Sequence, residues 1–159
     1  MVLQFPDMGE LVQFPTPEQT REEGDYLIIF SPDGKRVLLV FQKGGNWSLP
    51  GGKPKPGEKR HRTAERETFE ETGLTVKIED PDEQFVAMGN LRDRLRNKRT
   101  SYAFFAVASS DILPEHTSDE IDAIEWHELN NLPSDIEDRV PPTIRLAEIS
   151  LRESSFQAA

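Results

Sequence analysis

The sequence contains no cysteine among its 159 residues. This absence excludes disulfide bonds, thiolate metal sites and cysteine nucleophiles. No apolar run approaches the roughly 20 residues that a membrane-spanning helix needs, so we expect no membrane partner. The first ten residues have no basic start and no long apolar core, which predicts that no signal peptide is present. We therefore expect a cytoplasmic protein, although an exported chain whose signal had been removed would look the same.

Positive charge is also scarce, because 19 Lys and Arg residues stand against 29 Asp and Glu residues, for a net charge of −10. This balance disfavours nucleic acid as a partner. Much of the positive charge lies in two short clusters, and the first is placed near a predicted helix start, where the helix dipole disfavours cations. Both clusters therefore favour a highly anionic small molecule. Their members are Lys53, Lys55, Lys59, Arg60 and Arg62 in the first and Arg92, Arg94, Arg96, Lys98 and Arg99 in the second.

Short apolar runs separated by turn residues indicate an α+β domain with a mixed set of strands. The chain is long enough for one domain with a proper core. Residues 1–20 carry three prolines and little periodicity, so we expect an N-terminal extension followed by a single domain over residues 21–155. We predict helices over 59–72 and 143–152, and strands over 26–30, 37–41, 46–49, 74–78, 84–88, 100–108 and 121–126.

The predicted helix 59–72 carries three carboxylates on one face. Glu67, Glu70 and Glu71 are spaced i, i+3 and i+4, which brings their side chains together. Like charges at this spacing destabilise an isolated helix, and a divalent cation would turn that repulsion into binding. Hard cations such as Mg²⁺ prefer oxygen ligands and usually share their site with substrate phosphates. We therefore predict a metal site made of these carboxylates and a backbone carbonyl of Gly51 or Gly52, where the missing side chains allow close approach.

Residues 52–74 resemble the Nudix box, a glycine, five residues, a glutamate, seven residues and then Arg-Glu-U-x-Glu-Glu-x-Gly-U, with U an aliphatic residue. Thr68 departs from the pattern at the first U, but its methyl group can still face a core. The resemblance implies the Nudix α/β/α sandwich with a mixed central sheet, and a hydrolase that uses Mg²⁺ or Mn²⁺ to cleave a phosphoanhydride. The matching residues are Gly52, Glu58, Arg66, Glu67, Glu70, Glu71, Gly73 and Leu74.

The resemblance also implies roles in catalysis. Either Glu70 or Glu71 is the general base, and Arg66 pairs with a carboxylate of the box. Glu58 completes the network. Glu120 is a further metal-site candidate in a late loop, although a solvated loop acid is the better interpretation of it from the sequence. The predicted catalytic residues are therefore Arg66, Glu67, Glu70 and Glu71, whereas His116 and His127 are expected at the surface.

The second basic cluster resembles the diphosphoinositol polyphosphate phosphohydrolase branch, in which a basic turn ending in Arg-Thr precedes an aromatic-rich strand. Glu125 and Trp126 match the same branch. Inositol pyrophosphates are therefore the first expected substrate, followed by dinucleoside polyphosphates, then by ADP-ribose or a nicotinamide dinucleotide. A non-catalytic domain that binds a phosphorylated ligand or RNA is the alternative, and the intact carboxylates argue against it. The predicted substrate contacts are Lys53, Lys55, Arg60, His61, Arg92, Arg94, Arg96, Lys98 and Arg99, and the oligomeric state stays open.

Overall fold

The computed structural model describes residues 2–4, 11–13, 24–88 and 101–153. Along these residues six strands precede the first helix, and three more strands precede the second. The strands are β1 (Val2–Gln4), β2 (Leu11–Gln13), β3 (Asp25–Phe30), β4 (Arg36–Gln42), β5 (Trp47–Ser48), β6 (Gly51–Gly52), β7 (Phe85–Ala87), β8 (Tyr102–Val107) and β9 (Ile121–Glu128). The helices are α1 (Arg60–Thr72) and α2 (Val140–Glu153).

The central sheet is mixed and is built around β3. Strand β3 pairs in parallel with β8, whereas its pairings with β4 and β6 are antiparallel. The sheet runs in the order β5-β4-β3-β8-β7, with β6 added to β3 and β9 added to β4. The parallel pairing needs a crossover, which α1 and the segments around it supply.

Both faces of the sheet are covered, because successive residues of β3 point to opposite sides. Leu27 and Ile29 pack with Ala64 of α1, whereas Ile28 and Phe30 pack on the side that is covered by Ile144 of α2. Helix α1 therefore lies on one face and α2 on the other. The predicted α/β/α sandwich with a mixed sheet is confirmed.

Helix α1 ends where the sequence predicts. Gly73 adopts φ 77°, a conformation that suits glycine, and its N–H donates a hydrogen bond to the carbonyl of Phe69 at 2.8 Å. This arrangement is a common helix stop. The face of α1 toward the sheet carries small buried residues, among them Ala64 and Thr68. Their size lets the helix backbone lie close to the sheet, which brings the carboxylates of the same face near β6.

The predicted strand over residues 74–78 is wrong, because this segment forms no ladder with a neighbouring strand. Its alternating pattern has another cause. Leu74, Val76 and Ile78 pack into the core on the α1 side, and the N–H of Ile78 donates to the carboxylate of Glu65 at 3.1 Å. Alternate burial therefore occurs here in an extended segment that is fixed by a side chain of α1.

Helix α2 and strand β9 extend beyond the bounds predicted from the sequence. Helix α2 begins at Val140, three residues earlier than predicted, so Pro141 and Pro142 lie in its first turn. Proline is tolerated there because the first N–H groups of a helix have no partner within it. Strand β9 continues to Glu128, because its pairing with β4 extends as far as Arg36.

The N-terminal residues that the structure describes form a small separate sheet, in which β1 and β2 pair antiparallel. The division into an extension and a single domain stays a prediction. The second basic cluster, residues 92–99, lies outside the described residues. Neither α1 nor α2 combines the length and the apolar character that crossing a membrane would require.

Candidate functional site

Strand β6 brings two glycines against the acidic face of α1. The N–H of Gly51 donates a hydrogen bond to Oε1 of Glu71 at 2.7 Å. A Cβ atom at Gly52 would lie 2.5 Å from the carboxyl carbon of Glu67, and one at Gly51 would lie 2.5 Å from the carbonyl oxygen of Asp25. Gly51 therefore requires glycine, because backbone atoms of β3 lie too close for a side chain, whereas a side chain at Gly52 would displace the carboxylate of Glu67. The pair fixes the distance between the strand and the carboxylates of α1.

Glu71 lies in an environment that opposes its negative charge. The pKa of the Glu71 carboxyl is raised to about 8: burial raises it most, the hydrogen bond from Gly51 lowers it, and the nearby carboxylates of Glu67, Glu120 and Glu70 also raise it. The side chain is buried. Its contacts with charged groups are thus mainly with other acids, which is the situation that a bound cation would relieve.

Arg66 lies at the centre of an ion-pair network on the same helix. Its Nε and Nη2 donate to the two carboxylate oxygens of Glu58, each at 2.9 Å, which forms a bidentate pair. Its Nη1 donates to Glu67 at 2.9 Å and to Glu70 at 3.2 Å, and Nη2 also reaches the carbonyl of Lys53 at 3.2 Å. The guanidinium therefore fixes three carboxylates and the start of the loop between β6 and α1.

The same network lowers the pKa of Glu58 to about 2, chiefly through the hydrogen bond from Arg66. Thr63 and the N–H of Lys55 add hydrogen bonds to Glu58 at 2.7 and 3.1 Å. In return, Glu58 raises the pKa of Arg66 above its usual value. Glu58 is consequently a fully paired anion, in contrast to Glu71.

A cavity of about 600 Å³ opens between α1, β6, the end of β4 and the loop that precedes β9. The loop is joined to β4 by the N–H of Lys43, which donates to the carbonyl of Glu120 at 3.0 Å. Acidic groups from α1 and the loop share this cavity with two lysines, so it can accept a cation together with an anionic ligand. The lining residues are Gln42, Lys43, Gly51, Gly52, Lys53, Glu67, Glu71, Asp119, Glu120 and Ile121.

A family model described as NUDIX domain matches residues 21–146. The chain belongs to the Nudix family. This match covers most of the chain and includes the cavity and its carboxylates. The prediction of a Nudix hydrolase is therefore confirmed at the level of the family.

Two curated relatives share 34% identity with this Nudix chain. One is the m7GpppN-mRNA hydrolase dcap-2 of Caenorhabditis elegans, aligned over 122 residues, which are 72% of this chain and 14% of the relative. The other is mRNA-decapping enzyme subunit 2 of Arabidopsis thaliana, aligned over 106 residues, 66% of this chain and 27% of the relative. The chain thus spans only a minor part of the length of either relative.

Solved structures share the same fold. An ADP-ribose pyrophosphatase from Streptococcus suis superimposes with a TM-score of 0.67 at 24% identity, covering 86% of this chain and 95% of that one. A MutT protein from Methanosarcina mazei gives a TM-score of 0.58 at 22% identity, covering 88% and 99%. At these identities the likeness establishes the Nudix fold alone.

The structure brings together only some of the residues predicted for the Nudix site. Glu67, Glu71, Gly51, Gly52 and Lys53 line the cavity. Glu70 does not line it. Its half-exposed side chain turns to Arg66 instead.

Three residues predicted as substrate contacts lie elsewhere. Lys55 and Arg60 line a second cavity, of about 470 Å³, under the loop that leads into α1. The ring of His61 packs edge-on against Phe104 at a centroid distance of 6.2 Å. These contacts stay predictions, and those of the second basic cluster fall outside the described residues.

Arg60 has structural contacts that its place in a basic cluster does not reveal. Its Nη1 donates to Oδ1 of the buried Asp25 at 3.0 Å, and its guanidinium lies 4.0 Å from the ring centroid of Tyr102. Burial raises the pKa of Asp25 to about 6, although the hydrogen bond from Arg60 opposes this. Part of the first basic cluster therefore holds α1 against β3 and β8.

Sequence reasoning missed two groups of residues near the cavity. Gln42 and Lys43 reach it because β4 ends there, and no local pattern marks them. His116, predicted as a surface residue, is partly buried, and its Nε2 lies 2.8 Å from the carbonyl oxygen of Glu70. Both findings depend on contacts between segments that are distant in the sequence.

Nudix hydrolases generally use divalent metals such as Mg²⁺ or Mn²⁺. Within residues 24–88 and 101–153, no three acidic or histidine side chains stand close enough to form a ready-made metal site. The donor set of the cavity nevertheless fits such an ion in kind, because Glu67, Glu71 and Glu120 offer only oxygen ligands. Such an ion would stabilise the charged form of Glu71, which is buried among other carboxylates.

Proposed function

We propose that the chain is a metal-dependent pyrophosphohydrolase that cleaves a phosphoanhydride bond. One observation carries this proposal: Glu67 and Glu71 of α1 line the same cavity as Glu120 and two lysines. Acidic oxygens suit a divalent cation, and lysine ammonium groups suit the phosphates of the substrate. We assign Glu67, Glu71 and Glu120 to metal binding, and Lys43 and Lys53 to the phosphate chain.

Hydrolysis requires that water oxygen attacks a phosphorus atom while the bridging oxygen leaves. When bound, a divalent ion neutralises charge on the phosphate oxygens and lowers the pKa of coordinated water. The residues of the chain supply the remaining functions. A cavity-facing carboxylate, Glu67 or Glu71, accepts the proton of the attacking water. Arg66 holds Glu67 in place, and Gly51 holds Glu71.

For the substrate we propose a dinucleoside polyphosphate, a class that includes the m7GpppN linkage. The support is the 34% identity to one protein named m7GpppN-mRNA hydrolase and to another named mRNA-decapping enzyme subunit 2. The cavity volume lies within the range of small-molecule sites. Because both names point to mRNA, the prediction that nucleic acid is not a partner is left unconfirmed.

A phosphate-release panel with Mg²⁺ tests both the proposed hydrolase activity and the proposed substrate class. It compares diadenosine polyphosphates, a capped RNA, an inositol pyrophosphate, ADP-ribose and a reduced nicotinamide dinucleotide. We expect turnover that chelation by EDTA abolishes, and the fastest turnover with a dinucleoside polyphosphate or the capped RNA. A protein inert toward every compound with Mg²⁺ and Mn²⁺ would contradict the hydrolase, and fastest turnover of ADP-ribose would contradict only the substrate.

Inositol pyrophosphate, the first substrate expected from the sequence, is here the second candidate, and the clustered positive charge is the observation that favours it. Ten Lys and Arg residues in two runs suit a ligand with many phosphate groups. The double substitution Lys98→Ala with Arg99→Ala separates the candidates. A much larger loss on the inositol compound than on a diadenosine polyphosphate would favour inositol pyrophosphate, and equal losses would indicate a general electrostatic role.

A further inference from the structure

The loop between β8 and β9, residues 108–120, carries Glu120 into the cavity. At its start the loop is fixed to the sheet, because Asp111 pairs with Arg36 at 2.8 Å and its carbonyl accepts a hydrogen bond from Trp126 Nε1 at 2.9 Å. At its end, the carbonyl of Glu120 accepts the hydrogen bond from Lys43. These anchors belong to β4 and β9. None of them relates the loop to the carboxylates of α1.

His116 makes that connection. A carbonyl oxygen can only accept, so Nε2 of His116 carries the proton and donates it to the carbonyl of Glu70 at 2.8 Å. The acceptor belongs to the last turn of α1, where carbonyls have no partner within the helix. The bond therefore joins the loop to the turn that contains Glu71.

The space for the imidazole ring is provided by Gly73. A Cβ atom there would lie 3.0 Å from Cβ, Cγ and Nδ1 of His116, closer than ordinary packing allows. Phe69 flanks the ring from the helix side at a centroid distance of 6.4 Å. The end of α1 is thus shaped to receive this one side chain, which indicates a defined position for the loop.

Glu120 and Glu71 face the same cavity, Glu120 from the loop and Glu71 from α1. Movement of the loop away from α1 would therefore separate two groups that the proposed function assigns to metal binding.

We propose that His116 is a positioning residue, whose hydrogen bond to the end of α1 sets the place of Glu120 opposite Glu71 in the metal cavity. The inference rests on the proposed function only in its assignment of Glu120 to the metal. His116 itself touches neither metal nor substrate.

Direct titration of the protein with Mn²⁺, without substrate, tests this role. His116→Ala is expected to weaken Mn²⁺ binding by about 10-fold, the lower end of what loss of an orienting partner costs at metal sites. His116→Gln keeps an N–H donor of similar reach and is expected to recover most of the loss. Thr117→Ala, a change at an exposed neighbour in the same loop, serves as the matched control and should bind Mn²⁺ as the wild type does.

A double-mutant cycle identifies the residue through which His116 acts. If the role is to place Glu120, then His116→Ala should cost little in a protein that already carries Glu120→Gln. Additive losses, or wild-type Mn²⁺ binding by His116→Ala, would overturn the inference. Thermal unfolding of each variant shows whether a loss reflects unfolding, and hydrogen exchange of the loop amides should rise in His116→Ala and return in His116→Gln.

The outcomes also separate the two proposals. Mn²⁺ binding that depends on His116, in a protein that hydrolyses no diphosphate, would remove the proposed function and leave the positioning role standing. Hydrolysis that needs Mg²⁺ but is unaffected by His116→Ala would do the reverse. Absence of Mn²⁺ binding by the wild-type protein would overturn both.

Discussion

Glu58 and Glu71 belong to the same motif but lie in opposite electrostatic environments. Glu58 accepts a bidentate pair from Arg66 and hydrogen bonds from two further donors, and its pKa falls to about 2. Glu71 is buried near other carboxylates, accepts one hydrogen bond from Gly51, and its pKa rises to about 8. The same chemical group is thus stabilised as an anion at one end of the motif and destabilised at the other.

The difference distinguishes a carboxylate that is already paired within the fold from one that is still available to a ligand. A carboxylate that is fully paired has little capacity left for a ligand, whereas one that is buried without a cation gains from binding one. Perturbed groups of the second kind concentrate at functional sites. We therefore expect substitutions at Glu71 to change activity with little effect on folding, and substitutions in the network of Glu58 to change folding first.

The largest effect is expected for Glu71→Gln. The amide oxygen can still accept the hydrogen bond from Gly51, so the fold should persist, while the charge that would hold the metal is lost. We expect phosphate release to fall by roughly 10² to 10⁴-fold, the range typical for a lost acid or base group. Glu65→Gln, on the same helix but outside the cavity, is the control. Near-wild-type turnover of Glu71→Gln would remove Glu71 from the site.

Arg66→Ala should affect the fold first, and we expect it to lower the free energy of unfolding. It leaves Glu58, Glu67 and Glu70 without their shared cation, and leaving a partly buried hydrogen-bonding group without its partner costs about 1–3 kcal/mol. Urea unfolding measures the loss. Arg62→Ala removes an exposed i,i+3 pair with Glu65 and should cost less than about 1 kcal/mol. Equal losses in the two variants would show that the Arg66 network does not stabilise the fold.

The pH dependence of stability sharpens the comparison further. Because the pKa of Glu58 is lower in the folded state than its ordinary value of 4.5, its contribution to stability is present above that value. The contribution is lost as the pH falls from about 4.5 toward 2. Unfolding free energies measured across this range should fall less steeply in Glu58→Gln than in the wild type. Parallel curves would mean that Glu58 is not paired in solution.

The local sequence pattern predicts which residues belong to the acidic face of α1, but it does not predict how their environments differ. The spacing of Glu67, Glu70 and Glu71 predicts a shared helix face, and Gly73 predicts the helix end. The pattern treats Glu70 and Glu71 alike, because one residue of spacing does not reveal that Arg66 holds one and β6 receives the other. The difference between Glu70 and Glu71 depends on how β6 is placed against α1, and only the folded sheet determines that placement.

Other parts of the site depend on contacts that no local pattern encodes. Lys43 reaches the cavity because β4 ends opposite α1, and His116 because a long loop returns to the end of the helix. Conversely, residues 74–78 have the alternation of a strand without a strand partner, because burial on one side is enough to produce it. A sequence specifies which residues are buried more directly than what they pair with.

The smallest expected effect is at Thr68, where a substitution changes a buried hydroxyl without changing any charge. It occupies the aliphatic position of the motif, is fully buried, and its Oγ1 finds no hydrogen-bond partner among the described residues. Val has nearly the same shape without the hydroxyl, so Thr68→Val should raise the free energy of unfolding by about 1 kcal/mol. Urea unfolding measures the gain, and phosphate release should stay unchanged, because Thr68 faces the sheet and not the cavity. A loss of activity in this variant would mean that packing under the helix, as well as the charge on Glu71, controls the site.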